Sequence, residues 1–148
     1  MGFELKLVEA NNKSDVALIR KYFRKHHDKA SIARLLAEGA LFIGLLHREP
    51  VCGVQIEVGE LSIMANDPKS QAVIEMALVE IERIAREWGA SHMCAYTYHI
   101  RNRKAYDAAL EAKGWEGLDG HFDKILDRAK FDQEDAMIAN SQWNIFDQ

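Results

Sequence analysis

Apolar and charged residues alternate from Phe3 to Ala10, with Phe3, Leu5 and Leu7 on one side, and this period of two predicts a half-buried strand. Asn11 to Ser14 reads as a loop, with Ser14 placed to cap a helix running through about His27. Val16, Ile19, Tyr22 and Phe23 form the apolar stripe of that helix. Ile32, Leu35 and Leu36 recur at helical spacing in a short second helix around Ala30 to Glu38, and Gly39 is a natural left-handed stop. Two apolar runs, Ala40 to His47 and Val51 to Val58, flank Arg48-Glu49-Pro50, which predicts a β-hairpin with the proline confined to its connection.

The stretch from Leu61 to Trp115 constrains the fold most. Leu61 to Ala65 reads as a strand, and Asn66-Asp67-Pro68 ends it and opens a long helix. Val73, Ala77, Ile81, Ile84 and Trp88 recur at spacings of four and three, predicting one continuous buried stripe that Gly89 closes. His92 to Tyr98 reads as a second strand, and a shorter helix from Asn102 stops at Gly114. Trp115 to Leu126, with the Asp119-Gly120 turn pair, predicts a closing hairpin. Two strands joined by one long helix run parallel with a right-handed crossover, while the hairpin strands run antiparallel. The expectation is an α/β domain over residues 1–128, built on a mixed sheet of about six to seven strands with four helices. A separate C-terminal arm covers 129–148.

Composition narrows the functional classes. A chain of 148 residues with 48% hydrophobic and 28% charged content suits one globular domain. No apolar run approaches the ~20 residues that span a bilayer, and the alternating N-terminus reads as a strand, not a signal peptide. Cys52 and Cys94 each sit in an apolar strand-like run, which fits buried thiols in a reducing, cytoplasmic setting. The net charge is −4, and residues 131–148 carry Asp132, Glu134, Asp135 and Asp147 with no Lys or Arg, so residues 1–130 are balanced. Without a basic stripe to release counterions from phosphates, nucleic-acid binding is disfavoured.

Element order, together with Asn102, Ala105, Gly114 and Trp115 on the helix after the second crossover strand, resembles the GNAT superfamily of acyl-CoA-dependent N-acyltransferases. The resemblance of organisation covers roughly residues 3–126; the motif itself is confined to Trp88–Trp115, with one residue more than usual between Asn102 and Gly114. It implies acetyl-CoA as co-substrate and an amine as acceptor. The pantetheine would hydrogen-bond to the backbone at Met64 and Ala65, and the phosphates would meet Lys69, Ser70, Gln71 and Ala72 at the start of the long helix, with Asn102 nearby. A helix N-terminus suits an anion because its amides point outward and its dipole is positive there.

Departures from the family pattern are specific. The phosphate loop of the family is glycine-rich, whereas Asn66 to Val73 contains no glycine, adds the Asp67 carboxylate and loses an amide at Pro68. The family's general acid, a Tyr four residues before the closing Gly, is replaced by Leu110; Tyr106, one turn earlier on the same face, is the substitute or else a core tyrosine. For the base, the resemblance points to Glu60, with Glu57 a solvent-facing alternative. His99 titrates in a useful range and is a further candidate base, or else a strand-end cap.

Six histidines prompt a search for metal ligands, but neither His-x-x-x-His nor Cys-x-x-Cys is present, so no metal site is expected. The tail holds Asp132 to Ala139, fit for two helical turns, and an apolar cluster of Trp143, Ile145 and Phe146. It either folds back on its own domain or docks into a second copy or another protein. The rival to an enzyme is therefore a catalytically silent GNAT-like scaffold, for instance in a phage particle, working through its surfaces and arm.

Overall fold

The computed structural model describes residues 2–25, 27–57, 60–65, 71–97 and 103–146, with 60–65 and 139–146 described by their backbone alone. Along these run β1 (Phe3–Leu7), α1 (Lys13–Phe23), α2 (Lys29–Ala37), β2 (Leu41–Leu46), β3 (Glu49–Glu57), β4 (Glu60–Ala65), α3 (Gln71–Glu87), β5 (His92–Tyr96), α4 (Arg103–Ala112), β6 (Glu116–Leu118), β7 (His121–Ile125) and α5 (Arg128–Phe146). The first eleven follow the order read from the periodicity. The fold is the expected mixed α/β sheet, with a fifth helix where four and an arm were expected.

Strands lie in the order β1-β2-β3-β4-β5-β7-β6 in one sheet. Every neighbouring pair is antiparallel except β4 and β5, which are parallel because α3 carries the chain back across the sheet between them. The alternation of side chains sorts the core onto two faces. Leu41 and Ile43 of β2 pack with Val16, Ile19, Phe23, Ile32 and Leu35 of α1 and α2. Phe42, Val54, Ile56, Met93 and Ala95 point the other way, against Ile74, Leu78 and Ile81 of α3 and Tyr106, Ala109 and Leu110 of α4. Each fully buried Leu or Ile in these layers stabilises the fold by roughly 1.5–3 kcal/mol.

Local chemistry explains where the elements begin and end. Asn12, not Ser14, caps α1: its side chain accepts from the Asp15 amide at 3.2 Å, and Ser14 lies inside the helix. Asn in the extended conformation reaches an amide three residues on, so the helix begins earlier than a Ser14 cap allows. Gly39, Gly89 and Gly114 all adopt positive φ at helix ends, as expected. The hairpin between β2 and β3 turns at His47-Arg48, both with positive φ, and Pro50 lies within β3 opposite Leu45. The register skips Val51 beside it, so a bulge accommodates the proline that was expected in the connection.

Trp88 also departs from the expected stripe. It follows the last residue of α3 and is 52% exposed, because the chain leaves the helix at Gly89 before the indole can turn inward. It keeps one contact with Phe42, 6.4 Å between centroids.

The tail forms a 19-residue helix, longer than the two turns expected. Its first turns fold back on the domain: Phe131 meets His92 edge-on at 5.1 Å, and Glu134 accepts a 2.9 Å hydrogen bond from the buried Ser91 hydroxyl. The side chains of Trp143, Ile145 and Phe146 lie outside the described residues. Among the described residues no helix is long and apolar enough to cross a membrane.

Candidate functional site

The sheet has one parallel junction among the described residues, between β4 and β5. There Glu60 pairs with Cys94 and Leu61 with Ala95. On its other side β4 stays paired to β3 as far as Ala65 with Cys52. In the parallel register Met64 and Ala65 face positions beyond Thr97 that lie outside the described residues. α3 follows β4 within a few residues, and its amino end carries the positive pole of a 17-residue helix.

Polar contacts anchor the end of β5. Thr97 is fully buried; its amide donates to Gly120 O at 2.7 Å and its hydroxyl to Asp107 Oδ1 at 2.6 Å. Asp107 also takes a 3.4 Å contact from Arg103 Nε within α4. These bonds fix the start of α4 relative to the strand. Sequence reading missed Thr97 and Asp107, since nothing local marks a threonine and an aspartate in different elements as partners.

The expected site residues fall into three groups. Met64 and Ala65 are the last two positions of β4, paired with Gly53 and Cys52 of β3. Gln71 and Ala72 open α3; the Gln71 side chain donates to Glu75 Oε2 at 3.2 Å, and Ala72 is exposed. Glu60 starts β4, beside Cys94 and opposite Glu57. Tyr106 is 1% exposed and belongs to the core between α4 and the sheet, as does Leu110. Lys69, Ser70, His99 and Asn102 lie outside the described residues. Glu57 is engaged elsewhere: Gln55 Nε2 donates to it at 2.7 Å, and Arg34 stands 3.9 Å away.

A hollow of about 190 Å³ lies at the opposite end of β5, walled by Ile56, Glu57, Trp88, His92, Met93 and Glu134. Its wall is mainly apolar, and the Glu134 carboxylate is already engaged by Ser91. It is a seam under α5, at the other end of β5 from Thr97.

Neither cysteine suits a disulfide with the other. Cys52 on β3 and Cys94 on β5 are separated by β4, and the registers put them on opposite faces of the sheet. Burial pushes the Cys52 thiol up to about 12, against a small opposing effect of the Gly44 backbone, so it is inert as a nucleophile.

No protein-family model matches the sequence, and no curated protein matches it either. Solved structures do. An acetyltransferase of the GNAT family from Streptococcus agalactiae superposes with a TM-score of 0.61 at 12% identity, over 84% of this chain and 96% of that one. The N-acetyltransferase PseH of Campylobacter jejuni, solved with acetyl coenzyme A, gives 0.57 at 16% identity over 82% and 95%. An acetyl transferase that modifies the N-terminal serine of ribosomal protein L7/L12 in Salmonella typhimurium gives 0.58 at 10% identity over 86% and 96%. The parallel β4–β5 pair, the long α3 that joins its strands and the buried frame of α4 together have the fold of these GNAT acetyltransferases.

Proposed function

We propose that this chain is an acyl-CoA-dependent N-acyltransferase that moves an acetyl or related acyl group from acyl-CoA to an amine. The observation that carries the reading is the fold shared with GNAT acetyltransferases, in which β4 and β5 form a parallel pair joined by α3. An amide-bearing chain such as pantetheine would run beside the end of β4 as an added strand, with its amides paired to the backbone of Met64 and Ala65. Its phosphates meet the amino end of α3 at Lys69, Ser70, Gln71 and Ala72, with Asn102 as a further cofactor-binding candidate.

In this reading Glu60 removes a proton from the acceptor ammonium, directly or through a water, with His99 as the alternative base. The amine then attacks the thioester carbonyl, and the tetrahedral intermediate collapses to an amide and the CoA thiolate. Tyr106 is the candidate acid for that thiolate, although its side chain packs in the core between α4 and the sheet. Acceptors range from small amines to a protein N-terminus of the kind one structural neighbour modifies.

A second reading, a silent scaffold working through its surfaces and α5, is favoured by the absence of glycine from Asn66 to Val73. Phage particles are one setting for such a protein. Titration with acetyl-CoA followed by thermal unfolding separates the two. A ligand that binds the native state raises the melting temperature with concentration, by about 2.7 kcal/mol of stability at a hundred times Kd. A melting temperature that stays constant into the millimolar range overturns the enzyme reading and leaves the scaffold.

A further inference from the structure

We propose that Cys94, His121 and Asp123 form a binding site for a zinc-class divalent cation on the face of β5 and β7 opposite α3 and α4. Cys94 is the direct cross-strand partner of Asp123, and His121 is paired with Tyr96 two positions along. Because side chains alternate along strands, all three residues project from one face. Their sulfur, nitrogen and oxygen donor atoms lie within 4.8 Å of one another.

One donor pair already has the spacing of ligands on a bound ion. His121 Nε2 and Asp123 Oδ2 are 3.4 Å apart. Two donors at bond lengths of about 2.0–2.1 Å on a tetrahedral ion are also about 3.4 Å from one another. As an exposed ion pair the same contact contributes little. His121 is held in plane by stacking on Tyr96, at 4.8 Å and 14°. Both partners stand on paired strands, which hold ligands more firmly than a loop does.

The donor set selects the ion class. Thiolate, imidazole and carboxylate together suit Zn²⁺ and its late first-row neighbours, whereas Mg²⁺ and Ca²⁺ favour oxygen alone. Binding displaces the Cys94 thiol proton to solvent and forms a sulfur–metal bond with no change of oxidation state. Cys94 is half-buried, while His121 and Asp123 are about half exposed, so the ion enters from solvent. Three protein ligands leave a fourth position for water, and Glu60 stands beside Cys94 in the parallel ladder. His-x-Asp on a strand is a ligand spacing that a search for helical or knuckle motifs passes over. The site owes nothing to the acyl-transfer reading, and either can fail alone.

The test uses the full chain without a polyhistidine tag, titrated with Co²⁺ as a spectroscopic stand-in for zinc. The expected result is a thiolate-to-cobalt band in the near ultraviolet that saturates at one ion per chain and is displaced by Zn²⁺. Cys94→Ser should abolish the band, while His121→Ala and Asp123→Asn, both at exposed positions, should each weaken binding by about tenfold or more. Absence of the band in the wild-type chain overturns the proposal. So does an undiminished band in Cys94→Ser, or cobalt affinity unchanged in both folded surface variants.

Discussion

The Thr97 hydroxyl lies 2.6 Å from Asp107 Oδ1, and this bond ties the end of β5 to the first turns of α4. Thr97 has no exposed surface, so removing its acceptor strands a buried hydroxyl. Asp107→Ala is expected to destabilise the fold by about 1.5–3 kcal/mol, the range for bonds to charged groups. Thr97→Val should cost less, because it removes the hydroxyl as well as the bond. In the double variant the costs should fall short of their sum, which denaturant unfolding of the four proteins measures.

Glu82 links three elements through Lys124, whose ammonium is 2.9 Å from Glu82 Oε2 and 2.8 Å from Lys113 O. Burial raises the Glu82 pKa, but hydrogen bonds and charge from Lys124 and Arg86 outweigh it and hold the carboxyl below its ordinary value. A lowered folded-state pKa contributes stability above the unfolded value and loses it as pH falls through the folded one. Glu82→Gln should therefore lower stability by about 1 kcal/mol near neutrality. Its gap from the wild type should close as pH falls below about 4, and thermal melts across pH 3 to 7 would show a constant gap if the pairing were idle.

Gly53 is where α1 rests on the sheet. A Cβ added there would stand 2.9 Å from Tyr22 Cβ and 3.0 Å from Phe23 Cε2. The first of these cannot move without the helix, so Gly53→Ala should destabilise by about 1–3 kcal/mol through overpacking. At Gly39 nothing lies within 4 Å, but φ is +70°. Gly39→Ala should cost about 1 kcal/mol by backbone strain alone, and a smaller loss at Gly53 than at Gly39 would contradict the packing account.

The start of α5 belongs to the domain that it covers. Removing residues 128–148 takes away the Phe131 contact with His92 and the acceptor of the Ser91 hydroxyl. The truncated chain should melt several degrees lower, and Glu134→Ala alone should cost about 1 kcal/mol. An unchanged melting temperature after truncation would mean that the helix does not dock in solution.

Periodicity along the chain was enough to foresee β1 through β7, the four helices between them and the glycines that end three of those helices. Period two and period 3.6 are written locally, in residues that each element contains. Local chemistry misled at Ser14 and Pro50, where a competing asparagine cap and a strand bulge won, and at Trp88, which lies one residue past the helix that would have buried it. The tail was half legible: acids near a helix start marked its beginning, but not its length.

The candidate site was legible only as positions. That Met64 and Ala65 end the strand running parallel to β5 depends on pairing, a relation between elements that neither one encodes. The same holds for Thr97 with Asp107, Ser91 with Glu134, and Cys94 with His121 and Asp123. These residues are distant along the chain and meet only because hydrophobic burial on both faces of the sheet sets the registers that bring them together.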